Sequence, residues 1–82
     1  MKIVTNSDIL GKNIWYLRRK HWLTRKKLAS LVQWDADVVK AMEKGRLRDI
    51  EKDILFLICR LFDVDVMTLM TVELKKKINP LR

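Results

Sequence analysis

The 82-residue chain carries 18 Lys and Arg against 10 Asp and Glu, a formal charge of +8, and is 49% hydrophobic and 34% charged. Such a length suits one domain around a single core, with no room for a separate sensor domain, and the mixture is wrong for a disordered chain. No run approaches the roughly 18 apolar residues of a membrane span, residues 1–6 lack the apolar stretch of a secretory signal, and one cysteine excludes an internal disulfide. A cytoplasmic protein with no membrane partner is expected.

Charge is distributed unevenly. Residues 1–33 hold eight Lys or Arg and one acid, residues 34–74 hold six against nine, and residues 75–82 hold four and no acid. The basic surface therefore comes from the first third and the tail, a placement that suits a polyanionic partner. Only Gly11, Gly45 and Pro80 interrupt the chain, and apolar residues recur every three or four positions, which predicts helices and no sheet of any size.

Asn6-Ser7-Asp8 supplies a cap and an acidic first turn for an amphipathic helix over Ser7–Lys20, built on Ile9, Leu10, Ile14 and Leu17. Thr24 caps a short second helix whose inward face is Leu28, Ala29 and Val32. Arg25, Lys26 and Lys27 crowd its first turn, against the helix dipole. That placement is unfavourable unless something negative docks nearby. Asp35 caps a third helix with Val39 and Met42 inward, and Gly45 supplies the left-handed residue that ends it. Arg46-Leu47-Arg48-Asp49 reads as a basic loop. A fourth helix, from about Glu51 to Phe62, carries Ile54, Leu55, Ile58, Leu61 and Phe62 and forms the centre of the core, with Cys59 as a small core residue. Asp63 or Asp65 caps a short fifth helix with Val66, Leu69 and Met70.

Two short helices separated by a turn of about four residues make a helix-turn-helix candidate. The ordered set Ile14-x-x-Leu17-Arg18, Leu23-Thr24-x-x-x-Leu28-Ala29, Val39-x-x-Met42-Glu43-x-Gly45 and Ile54-Leu55-x-x-Ile58-x-x-x-Phe62-x-Val64-x-x-x-x-Leu69 resembles the Cro and phage-repressor (XRE) family over about residues 8–70. The resemblance implies an all-α, compact five-helix, lambda-repressor-like DNA-binding domain over residues 1–74, followed by a basic tail over 75–82. It implies a structural ion pair between Arg18 and Glu43, joining the first and third helices. It also implies that the third helix enters the major groove of double-stranded DNA with Ala36, Asp37, Lys40, Ala41 and Lys44 facing the bases. Arg25, Lys26, Lys27, Arg46 and Arg48 are the expected phosphate contacts.

The chain departs from the family pattern at several positions. Gln33 stands where Gly is common in the turn, which requires either a different turn or a left-handed residue costing roughly 1 kcal/mol. Asp35 and Asp37 bring negative charge toward a phosphate-rich partner. The residues 49–51, Asp-Ile-Glu, lack the usual Pro.

These residues predict a homodimeric, repressor-like transcriptional regulator, with Met67, Met70, Val72 and Leu74 as the dimer surface. The alternatives are a protein-binding module of the same fold, such as an antitoxin or anti-repressor, and a nonspecific electrostatic binder. Asp35, Asp37 and exposed candidates among Trp15, Trp22 and Trp34 motivate the former. No paired carboxylates, Ser/His/Asp set, Cys/His cluster or phosphate-cradling Gly loop can be assembled, so no enzyme, metal or cofactor is expected.

Overall fold

A computed structural model describes residues 2–4 and 6–75 of the chain. Its elements run β1 (Lys2–Val4), α1 (Ser7–Lys20), α2 (Arg25–Leu31), α3 (Ala36–Glu43), β2 (Asp49–Glu51), α4 (Lys52–Phe62) and α5 (Val66–Thr71). The expected basic tail lies, beyond Lys75, outside the described residues.

Local chemistry sets the helix starts. Asn6, Thr24, Asp35 and Asp65 each accept a backbone N–H of the first turn of α1, α2, α3 and α5, from Ile9, Lys27, Asp37 and Thr68 respectively. Of the two acids offered as caps for α5, Asp65 does the capping. Asp63 instead takes a left-handed conformation at the end of α4.

The helix ends share one device. In α1 to α4 the chain turns through a left-handed residue, and two backbone bonds close back on the last turn. The N–H groups of Leu23, Trp34, Arg46 and Val64 donate to the carbonyls of Arg18, Ala29, Ala41 and Cys59. The left-handed residues are Trp22, Gln33, Gly45 and Asp63, with φ of 60°, 60°, 73° and 53°. Gly alone adopts this conformation without cost. Gln33 therefore keeps the family-like turn by accepting a strained backbone.

The core gathers Leu10, Ile14 and Leu17 of α1, Leu28 and Ala29 of α2, Val39 and Met42 of α3, Leu55, Ile58 and Phe62 of α4, and Leu69 of α5. Cys59 is buried there, and desolvation pushes its thiol above the ordinary range, with Asp65 adding to the shift. α3 packs against both α1 and α2. Gly11 makes the first contact possible, because a Cβ at this position would collide with the Met42 carbonyl.

The expectation of no sheet is corrected by a small antiparallel pair, β1 with β2, in the register Lys2 to Glu51, Ile3 to Ile50 and Val4 to Asp49. Ile50 is buried beneath it. The pairing ties the chain ahead of α1 to the segment between α3 and α4, where a basic loop was expected to run directly into the fourth helix.

A polar clamp closes the other end. Asn13, buried in α1, donates from Nδ2 to the carbonyls of Leu69 and Val72 at 2.6 and 2.7 Å and accepts the Leu74 N–H at 2.9 Å. One side chain thus satisfies three backbone groups that would otherwise be stranded where α5 stops.

Candidate nucleic-acid interface

The seam that fixes α3 is ionic as well as apolar. Glu43, with a side chain only 2% exposed, accepts Arg18 Nε at 2.6 Å and Arg18 Nη2 at 3.2 Å. Arg18 also donates from Nη1 to the Leu23 carbonyl, which ties the same guanidinium to the α1–α2 turn. Arg25 Nε reaches Glu43 Oε1 at 2.9 Å from the start of α2. A buried carboxylate between two guanidinium groups therefore links α1, α2 and α3. The expected Arg18–Glu43 pair is present, and its second cation is a residue assigned from sequence to phosphate contact.

This seam aims the opposite face of α3 at solvent. Val39 and Met42 point into the core, while Asp37, Lys40 and Lys44 are exposed and Ala36, Val38 and Ala41 are half-buried. Asp37, Lys40, Ala41 and Lys44, spaced by three, four and seven, share one stripe along the helix. Asp35 is not part of it in the same sense, since its carboxylate accepts the Asp37 N–H at 2.9 Å and caps the helix. The negative charge of Asp35 thus has a structural use, and Asp37 is the acid that faces outward on the stripe.

Exposed cations stand on the elements before and after α3 in the chain. Lys26 and Lys27 are exposed on α2, and Arg46 and Arg48 are exposed in the segment after α3. Of the five expected phosphate contacts, Arg25 is set apart by its bond to Glu43 and by a side chain 37% exposed.

The apolar surface expected on Met67, Met70, Val72 and Leu74 does not hold as a set. Leu74 is buried, Met70 packs against the core, and Val72 is half-buried. Met67 alone remains open, at 65% exposure. The monomer consumes this surface because Asn13 pulls the chain after α5 onto α1. Besides the tryptophans, further exposed apolar side chains lie on Leu31 and on Phe56, Leu57 and Leu61 of α4.

The tryptophans divide. Trp34 packs against the core edge, and Trp15 carries the Arg19 guanidinium 4.9 Å above its ring. Trp22 is 92% exposed, held outward by its left-handed backbone. His21 is exposed and sets its ring 5.0 Å from that of Phe62. Among the described residues no three His, Cys, Asp or Glu side chains converge to hold a metal ion, and no helix is long and apolar enough to cross a membrane.

No protein-family model and no curated protein sequence matches the chain. Solved structures do. The chain is similar to the clp gene regulator ClgR from Corynebacterium glutamicum, with a TM-score of 0.71 at 18% identity over 87% of this chain and 73% of that one. It is also similar to the restriction-modification controller protein C.AhdI from Aeromonas hydrophila, with a TM-score of 0.67 at 22% identity over 78% of this chain and 96% of that one. The fold is that of helix-turn-helix regulators. The helix-turn-helix arrangement also matches hydroxypropylphosphonic acid epoxidase from S. wedmorenis, with a TM-score of 0.72 at 20% identity. There it covers 83% of this chain and only 36% of the epoxidase. A helix-turn-helix unit of this shape thus occurs both as nearly a whole controller protein and as a minor part of an enzyme.

Proposed function

We propose that the chain is a DNA-binding transcriptional regulator of the repressor kind, acting in the cytoplasm as a homodimer and performing no chemistry of its own. One observation carries the reading. α3 and its cap carry the stripe Asp37, Lys40, Ala41 and Lys44 on the face away from the core, with exposed Lys26 and Lys27 on the preceding helix and exposed Arg46 and Arg48 in the segment that follows. In the docking that this fold supports, α3 lies in the major groove and the flanking cations meet the two phosphate strands.

The roles follow from side-chain chemistry. Lys40 and Lys44 reach guanine acceptors, Asp37 accepts from a cytosine amino group, and Ala36 and Ala41 lie against thymine methyls. Lys26, Lys27, Arg46 and Arg48 contact phosphate. Arg25 does so with the nitrogens that Glu43 leaves open. The unit that binds is residues 1–74, with the basic residues of 75–82 adding affinity that is independent of sequence. These five phosphate contacts in each subunit give a salt slope of about −4.5 per subunit.

Titrating the chain against genomic DNA fragments at two salt concentrations tests the reading. Selective retention of an inverted-repeat fragment supports it. Lys40→Ala then lowers affinity for that fragment by about 1–3 kcal/mol while leaving random DNA nearly unaffected. Uniform binding of all fragments with a steep salt slope contradicts specific reading, and an absence of binding at roughly 50 mM salt contradicts DNA binding altogether.

A second reading is supported by Trp22. An indole 92% exposed in a turn is an uncommon surface group and suits a protein contact. The same titration separates the two, because a protein-binding module that has lost DNA reading retains no fragment.

A further inference from the structure

Resting on the two-subunit reading above, we propose that the partner across the dimer interface is a second copy of this chain seated on the outer face of α4, in an antiparallel α4 pair. The outward residues of α4 are Asp53, Phe56, Leu57, Arg60 and Leu61, all exposed. At 100° per residue, Asp53 and Arg60 fall on the midline of this face, Phe56 lies to one side, and Leu57 and Leu61 lie to the other. Leu31, at the end of α2, extends the apolar side. With Val32, Leu57, Arg60 and Leu61 it lines a shallow groove of about 320 Å³.

The charges select the occupant. A two-fold interface must be complementary to itself, each residue meeting its counterpart across the axis. An antiparallel pair of α4 helices crossing midway between Phe56 and Leu57 sets Asp53 opposite Arg60 of the second copy, twice. Phe56 and Leu57 meet their own counterparts at the axis. Lys52, whose Nζ sits 6.0 Å from the Phe56 ring, borders the face on the Phe56 side. Asp53 and Arg60 make no side-chain ion pair among the described residues, so both charges are available. A parallel pair would place acid on acid and base on base.

The surface also fits the DNA reading. It is built from residues of α4 and the end of α2, none of which belongs to the stripe Asp37, Lys40 and Lys44.

Sedimentation equilibrium on the full chain tests the pairing through charge reversal. The unaltered chain dimerises, and Asp53→Arg or Arg60→Asp alone weakens the dimer by about tenfold or more by placing like charges opposite each other. Mixing the two variants in equal amounts restores dimerisation, because the hybrid regains both ion pairs. Circular dichroism checks that each variant folds. If either fails to fold, Leu57→Lys replaces it and is expected to yield a folded monomer. A chain that stays monomeric up to about 1 mM overturns the proposal, as do reversed variants that dimerise like the unaltered chain or a mixture no tighter than its components. Fluorescence anisotropy with duplex DNA on the same samples separates the two readings. A monomer that binds a half-site loses the α4 pairing and keeps the DNA reading, and an α4 dimer that binds no DNA does the reverse.

Discussion

Glu43 is almost wholly removed from water, yet both of its carboxylate oxygens face guanidinium groups, and the arrangement ties three helices at one point. Removing the acid strands Arg18, whose side chain is 12% exposed, whereas Arg25 keeps access to water. Glu43→Ala is therefore expected to cost about 3 kcal/mol, at the low end of the range for breaking a buried pair. Urea denaturation measures it, and Arg18→Ala should cost more than Arg25→Ala. A loss under about 1 kcal/mol would mean that the charges are solvated. The Arg18–Glu43 half of this cluster was legible from spacing, since both residues sit beside core positions in an ordered motif. Arg25 was not, because a cation in the first turn of a helix reads as a surface group until its neighbour in space is known. Asn13 left even less trace. Its amide serves backbone groups 56 to 61 positions away, a distance at which no local pattern signals a partner.

At the scale of elements, the helix starts were readable because Asn6, Thr24, Asp35 and Asp65 are side-chain caps that act within three residues. The ends were less so. Gly45 announces its turn, but Trp22 and Gln33 take the same left-handed conformation without a residue type that favours it, and Asp63, a type that tolerates it, reads equally as an N-cap. The β1–β2 pair escaped periodicity because three-residue strands have too few positions to show alternation, and their partners lie nearly fifty residues apart. Gly11 shows how one element positions another. On an exposed helix, Gly→Ala would stabilise by about 1 kcal/mol. Here the added Cβ meets the Met42 carbonyl, a backbone atom that cannot rotate away. Gly11→Ala is expected to destabilise by about 1–3 kcal/mol, read as a lower midpoint in thermal or urea unfolding. Stabilisation would show that α1 and α3 are not packed backbone to backbone.

For the whole molecule, two differently charged surfaces take the different tasks proposed for them. Lys40 and Lys44 lie on the outward stripe of α3, with exposed Lys26, Lys27, Arg46 and Arg48 on the elements before and after it, whereas α4 sets one acid and one base at opposite ends of an apolar strip. The first surface was legible once the helix-turn-helix order was seen. The second was not, because Met67, Met70, Val72 and Leu74 looked unpartnered until Asn13 was found holding the chain after α5 against α1. Whether the first surface meets DNA is open to direct view by nuclear magnetic resonance. Titrating the ¹⁵N-labelled chain with duplex DNA should shift the amides of residues 36–44 together with Lys26, Lys27 and Arg46, while the outward residues of α4 stay unchanged in the dimer. Shifts confined to Trp22 and α4, or no shifts at low salt, would contradict a DNA-reading third helix.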